Sequence, residues 1–126
     1  MKEKYMKLAL KEAKKSLKKD EVPIGCIIVK NNKIIAKAHN LKEKKQNALC
    51  HAELIAITKA SKKLKNWRLN DCEMYVTLQP CPMCSSAIKQ SRISKIYYGV
   101  DNKNIVYKFF LNLTNITYSD ILYNKP

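Results

Sequence analysis

A chain of 126 residues fits one compact domain, 1–126, and leaves no room for a second. Its hydrophobic fraction of 46% allows a core, while no run approaches the roughly 20 apolar residues needed to span a bilayer, which excludes a membrane-spanning protein. The formal net charge of +15 points to a polyanionic partner, nucleic acid first. That charge is almost all lysine, however, with Arg68 and Arg92 the only arginines, so a coding bias toward A and T accounts for it equally well.

The amino-terminal stretch MKEKYMKLALKEAKKSLKKDE mixes charges throughout and has no apolar core, so it is not a secretion signal and a cytoplasmic protein is expected. From Lys2 to about Lys18, apolar residues recur at Tyr5, Leu8, Ala9, Ala13 and Leu17, a helical spacing. Asp20-Glu21-Val22-Pro23 ends that helix, because the residue before proline is pushed out of helical geometry. Gly25 to Val29 is a short β-branched run, hence a buried strand. Asn31-Asn32 makes a tight turn into a second strand over Lys33 to Ala38. Asn40 to Cys50 is polar and lysine-rich and is expected to be a loop.

Farther on, Glu53 to Leu64 has helical periodicity through Leu54, Ile57, Ala60 and Leu64, and Met74 to Leu78 is a strand. Pro82 suits the first position of a helix running through Ala87 and Ile88. Ile96 to Val100 is another strand, Ile105 to Leu111 a short helix, and Ile116 to Leu122 a last strand or fragment. A hairpin followed by alternating strands and helices predicts a three-layer α/β/α fold around a mixed sheet of about five strands.

Two short motifs carry the chemistry: Cys50-His51-Ala52-Glu53 and Gln79-Pro80-Cys81-Pro82-Met83-Cys84. Each opens a predicted helix. A Cys-x-x-Cys alone fits a structural zinc site or a redox pair, and the five cysteines, with no secretion signal, read as thiols or metal ligands rather than disulfides. Here only one convincing histidine joins the two cysteines. Three ligands leave a fourth position for water, the pattern of catalytic zinc. Thiolates at Cys81 and Cys84 gain from the start of their helix, His51 adds a nitrogen ligand, and zinc lowers the pKa of water toward roughly 7. Glu53, two residues from His51, can take the water's proton, protonate a ring nitrogen and help ammonia leave. His-x-Glu with Pro-Cys-x-x-Cys is the known signature of zinc deaminases of cytosine and adenine. Cys26 and Cys72 read as packing residues. Cys50, adjoining His51, reads as local packing, with lining of the pocket as the alternative, and His39 as a hydrogen-bonded strand end.

With those residues in view, the chain resembles the bacterial-type tRNA-specific adenosine deaminases of the cytidine deaminase-like superfamily. The likeness runs from the first helix to about Asp101. Besides the zinc motif it includes Val22-Pro23-Ile24-Gly25, His39-Asn40, Asn66-Trp67-Arg68-Leu69, Tyr75-Val76-Thr77-Leu78 and Ser91-Arg92-Ile93. The resemblance implies hydrolysis of adenosine to inosine at the wobble position of a tRNA anticodon, with release of ammonia, by a zinc-activated water. It implies His51, Cys81 and Cys84 as Zn2+ ligands and Glu53 as the proton shuttle. Asn40 becomes a contact to the flipped base, Val22 and Ile24 an apolar wall for its ring, and Asp101 a residue near the RNA entrance; a simple turn cap is the other reading of Asn40. A homodimer gripping the anticodon stem-loop is implied as well.

Three departures accompany the likeness. Gln79 stands where the family usually has Glu, the stretch after Asp101 differs from the usual glycine-containing loop, and the chain stops about where the family begins a C-terminal helix. Lysine-rich surfaces are expected to compensate through phosphate contacts. A deaminase of free nucleobases or nucleosides remains open on the same chemistry, as does a non-catalytic zinc-containing RNA-binding module, against which Glu53 argues.

Overall fold

The computed structural model describes residues 2–100 and the short strand 116–118. In it, α1 (Lys2–Leu17) precedes the hairpin of β1 (Gly25–Lys30) and β2 (Lys33–His39); then come α2 (Lys42–Lys45), α3 (Ala52–Leu64), β3 (Cys72–Leu78), α4 (Pro82–Gln90), β4 (Lys95–Val100) and β5 (Ile116–Tyr118). The sheet runs β2-β1-β3-β4-β5. β1 is antiparallel to both its neighbours, whereas β3, β4 and β5 are parallel. Four strands of six or seven residues form the body of this mixed sheet, and β5 adds three residues at its edge. The helix expected over Ile105 to Leu111, Asp101, and the end of the strand expected from Ile116 to Leu122 lie outside the described residues.

Alternation along the strands divides the core between two faces. Cys26, Ile28, Met74, Val76, Ile96 and Tyr98 face α3 and α4. Ile27, Val29, Tyr75 and Tyr97 face Tyr5, Met6 and Ala9 of α1. Because both faces are covered, β1 and β3 read as near-continuous apolar runs. At the hairpin, Asn31 and Asn32 take φ of 51° and 62°, the left-handed values a two-residue turn of this twist requires.

Three expectations are corrected. Leu17 is 60% exposed, and the stripe of α1 that faces the protein includes the polar Glu12 and Ser16 instead. In α3 the buried positions are Ala52, Glu53, Ala56 and Ala60, while Leu54, Ile57 and Leu64 are only half-buried. Small side chains let the helix lie close against the sheet, and the larger ones flank that contact. Finally, Asn40 to Cys50 is not wholly loop, for α2 forms one turn within it. Its first amides are capped from a distance: the Glu21 carboxylate accepts from the N–H of Glu43 at 3.0 Å and of Lys44 at 2.6 Å.

Candidate metal centre

α3 and α4 both begin at the same place. His51 is the N-cap of α3 and Cys81 the N-cap of α4, each with extended backbone, and neither side chain caps its own helix. Their backbone carbonyls accept instead, from Ile55 N–H at 3.0 Å and Ser85 N–H at 2.8 Å, which leaves imidazole and sulfur to point elsewhere. Pro82 occupies the first helical position, where a missing N–H costs nothing. One turn later Cys84 faces the same spot.

The result is a compact donor set. His51 Nδ1 lies 3.5 Å from Cys84 Sγ and 3.9 Å from Cys81 Sγ, and all three ligand atoms fall within 4.8 Å of one another. The two sulfurs are driven in opposite directions by their proximity. A hydrogen bond from Cys84, helped by the backbone amides of Cys84 and Met83 and by His51, overcomes burial and pulls Cys81 down to about 5. The same hydrogen bond, with burial and the nearby Glu53 carboxylate, pushes Cys84 up. Two thiols and an imidazole in this spacing suit a soft or borderline divalent cation, which removes the conflict by neutralising both sulfurs.

Glu53 lies one residue into α3 and is buried. Burial, then Cys81, push its carboxyl up to about 7, against lowering by its own backbone amide and by Cys84. Its Oε1 is buried and makes no hydrogen bond among the described residues, an expensive state that fits a carboxylate reserved for a group bound between it and the donor set. Burial and Glu53 also push the Cys26 thiol up, consistent with its reading as a protonated packing residue rather than a ligand.

Asn40 is buried, and its side chain is already engaged. Oδ1 accepts from Lys42 N–H at 3.2 Å, and Nδ2 donates to the Val22 carbonyl at 3.4 Å. That is the turn-cap arrangement, in which, among the described residues, one amide hydrogen has no partner. Its backbone N–H donates to the Ile24 carbonyl at 3.1 Å, so Asn40, Val22 and Ile24 form one linked unit. Val22 and Ile24, with Leu17 and Leu78, line an apolar cleft of about 360 Å³ in which none of His51, Glu53, Cys81 or Cys84 takes part. Gln79 is buried in the approach to Cys81.

Sequence reasoning missed the polar frame beneath Asn40. Ser16 Oγ donates to the Asn40 carbonyl at 2.9 Å. His39 Nδ1 meets Glu12 Oε1 at 3.0 Å and its Nε2 meets Lys19 Nζ at 3.2 Å, while Lys15 Nζ reaches Glu12 Oε2 at 2.7 Å. Glu12 and Ser16, four apart on the same face as Ala9 and Ala13, were the available signal: polar residues inside an apolar stripe.

Comparison with known proteins follows this geometry. The MafB19-like deaminase family model matches residues 1–125. Over 95 residues the chain is 53% identical to a protein named tRNA-specific adenosine deaminase from Bacillus subtilis strain 168, covering 75% of this chain and 59% of that relative. The chain thus spans about three-fifths of that relative's length. A solved structure from studies of A-to-I editing by tRNA:A34 deaminases at the wobble position of transfer RNA superposes with a TM-score of 0.84 at 33% identity, covering 91% of this chain and 96% of the other. Guanine deaminase from Bacillus subtilis superposes with a TM-score of 0.77, also at 33% identity, over 86% of this chain and 69% of its own. Among the described residues no helix is long and apolar enough to cross a membrane.

Proposed function

We propose that this chain, which belongs to the MafB19-like deaminase family, is a single-domain hydrolytic deaminase that converts adenosine to inosine at the wobble position of a tRNA anticodon. The observation that carries the reading is the convergence of His51 Nδ1, Cys81 Sγ and Cys84 Sγ within 4.8 Å, with the unengaged Glu53 Oε1 buried one residue into the adjoining helix. These three residues would hold zinc. Bound there, zinc supplies a water molecule whose pKa falls from about 15.7 toward roughly 7.

Everything else falls to the chain's own groups. Glu53 accepts a proton from the attacking water through its carboxylate and delivers it to N1 of the purine as the C6–O bond forms. The proton of the new C6 hydroxyl then passes through Glu53 to the exocyclic amine, the C6–N bond breaks as the C6 carbonyl forms, and ammonia leaves. The base must be held outside its stack for C6 to be reached. The remaining amide hydrogen of Asn40 and the adjoining Val22 and Ile24 side chains are assigned to holding it, and Asp101 to the RNA entrance. Homodimerisation, which the resemblance implies, and a cytoplasmic location, expected from the charged amino-terminal stretch, accompany this reading.

The tRNA substrate rests on the Bacillus subtilis relative's name, on the structure from tRNA:A34 deaminase studies, and on the net charge of +15. A second reading, deamination of a free base, has support in the likeness to guanine deaminase. One experiment separates them. Purified protein is given an anticodon stem-loop with wobble adenosine and, separately, free adenosine, guanine and cytosine. Inosine in the stem-loop with the free compounds nearly inert is expected; faster turnover of a free base overturns the tRNA reading. In the same assay Glu53→Gln should retain its metal and lose about 10²- to 10⁴-fold in rate, and retained turnover would sink the mechanism.

A further inference from the structure

Both arginines of the chain and its one tryptophan meet at a single exposed place. The Arg68 guanidinium carbon lies 4.4 Å from the centroid of the Trp67 ring and that of Arg92 lies 5.6 Å from it. Trp67 is 52% exposed, unusual for so large an apolar side chain. The arrangement is built rather than accidental. Asn66 Oδ1 accepts from Arg68 N–H at 3.0 Å, Leu69 N–H donates to the Ser91 carbonyl at 2.7 Å and ties the two turns together, and buried Leu69 anchors the first of them. Arg92 sits at φ of 67°, a left-handed value seldom tolerated outside glycine and asparagine.

Two guanidiniums share one ring, and among the described residues neither is paired with a carboxylate. Exposed Lys62, Lys63, Lys65 and Lys89 lie at the same ends of α3 and α4. Like charges gathered this closely favour an anion between them. Two copies of this doubly cationic patch would repel each other face to face, whereas a polyanion is a good match. Arginine, unlike the lysines covering the rest of the chain, offers a planar fork that fits phosphate and stacks on an aromatic face.

Position sharpens the choice. α3 and α4 begin at His51 and Cys81 and end beside this cluster, after 13 and 9 residues. At 1.5 Å per residue the cluster is about 20 and 14 Å along those helices from the metal centre, beyond the span of any free base. We infer that Trp67, Arg68 and Arg92 form a clamp for backbone phosphate of a structured RNA whose target base occupies the distant metal centre. The inference rests on the RNA reading of that centre but is tested without it.

The test measures affinity of the full chain for a fixed anticodon-type stem-loop RNA across a salt series, with no turnover required. Arg68→Gln with Arg92→Gln should weaken binding about tenfold and flatten the slope of log affinity against log salt by about one. Arg68→Lys with Arg92→Lys should keep the slope but still lose several-fold, because charge remains and the fork does not. Trp67→Ala should fall between wild type and the double Gln variant. Unchanged affinity and slope in the Gln variant would overturn the clamp. So would wild-type affinity in the Lys variant, or a dimer that dissociates in the Gln variant while RNA affinity per chain is constant. Melting temperature and metal content check folding; if the Gln variant is misfolded, the conservative Lys pair decides alone. A wild type that binds RNA through these residues yet makes no inosine would end the proposed reaction and leave the clamp standing.

Discussion

Glu53 and Glu12 show how the same side chain takes opposite characters in two burials. Glu53 is enclosed beside two sulfurs with one oxygen unbonded, so its charged form is disfavoured and its carboxyl rises to about 7. At Glu12 burial also acts to raise the value, but hydrogen bonds from Lys15 and His39 and their charges outweigh it, and the carboxyl ends below the ordinary 4.5. The unfolded chain therefore binds that proton more tightly than the folded one. Stability from Glu12 is fully present above the ordinary carboxylate range and is lost as pH falls through the depressed folded-state value. Wild type should accordingly lose melting temperature on acidification below about pH 4.5, and Glu12→Gln should be less stable near neutrality but flatter across that acid range. Thermal melts at several pH values check this; parallel curves would refute it. Lys15, His39 and Lys19 are the charged or titratable groups facing this network, and Ser16 beside it holds the Asn40 carbonyl.

Among the elements, α1 is set by contact distance rather than by side-chain size. A Cβ on Gly25 would stand 1.9 Å from the Ala9 carbonyl oxygen, 2.5 Å from the Ala13 nitrogen and 2.9 Å from the Glu12 Cβ. Two of those three are backbone atoms that cannot swing aside. Gly25→Ala should push α1 off the start of β1 and destabilise the protein by at least about 2–3 kcal/mol, visible in urea denaturation; a loss under about 1 kcal/mol would mean the contact relaxes freely. The alanine stripe of α3 follows the same logic on the other face of the sheet. Periodicity alone revealed that these segments are helices. In α3 it picked out Ala60 and the flanking Ile57 and Leu64 but not the buried Ala52 and Ala56, because large apolar residues stand out in a pattern while close packing selects small ones.

For the molecule as a whole, the three layers place the starts of two helices side by side at the C-terminal end of β3, an arrangement shared by many α/β sites. A metal bound to residues from both α3 and α4 would join elements whose mutual contact is otherwise slight, so it should stabilise the folded state by linkage. Protein purified with zinc is expected to lose about 5 °C or more in melting temperature on exhaustive chelation and to regain it with added zinc. His51→Ala should melt low and show no response to chelator. An unchanged melting temperature in wild type would remove the metal from the fold.

By itself the sequence determined α1, α3, α4 and the four long strands, though not α2, and it named the residue types of the donor set. Hydrophobic period is local, and His-x-Glu with Pro-Cys-x-x-Cys names its residue types at fixed spacings. Only the tertiary structure decided which polar and charged groups meet across the chain. Glu21 caps a helix 22 positions away, Ser16 holds Asn40 across 24, and Arg68 and Arg92 converge on one tryptophan from two separate turns. Such partners are distant along the chain, and hydrogen bonds and ring contacts act over a few ångströms in space, so no local pattern records them.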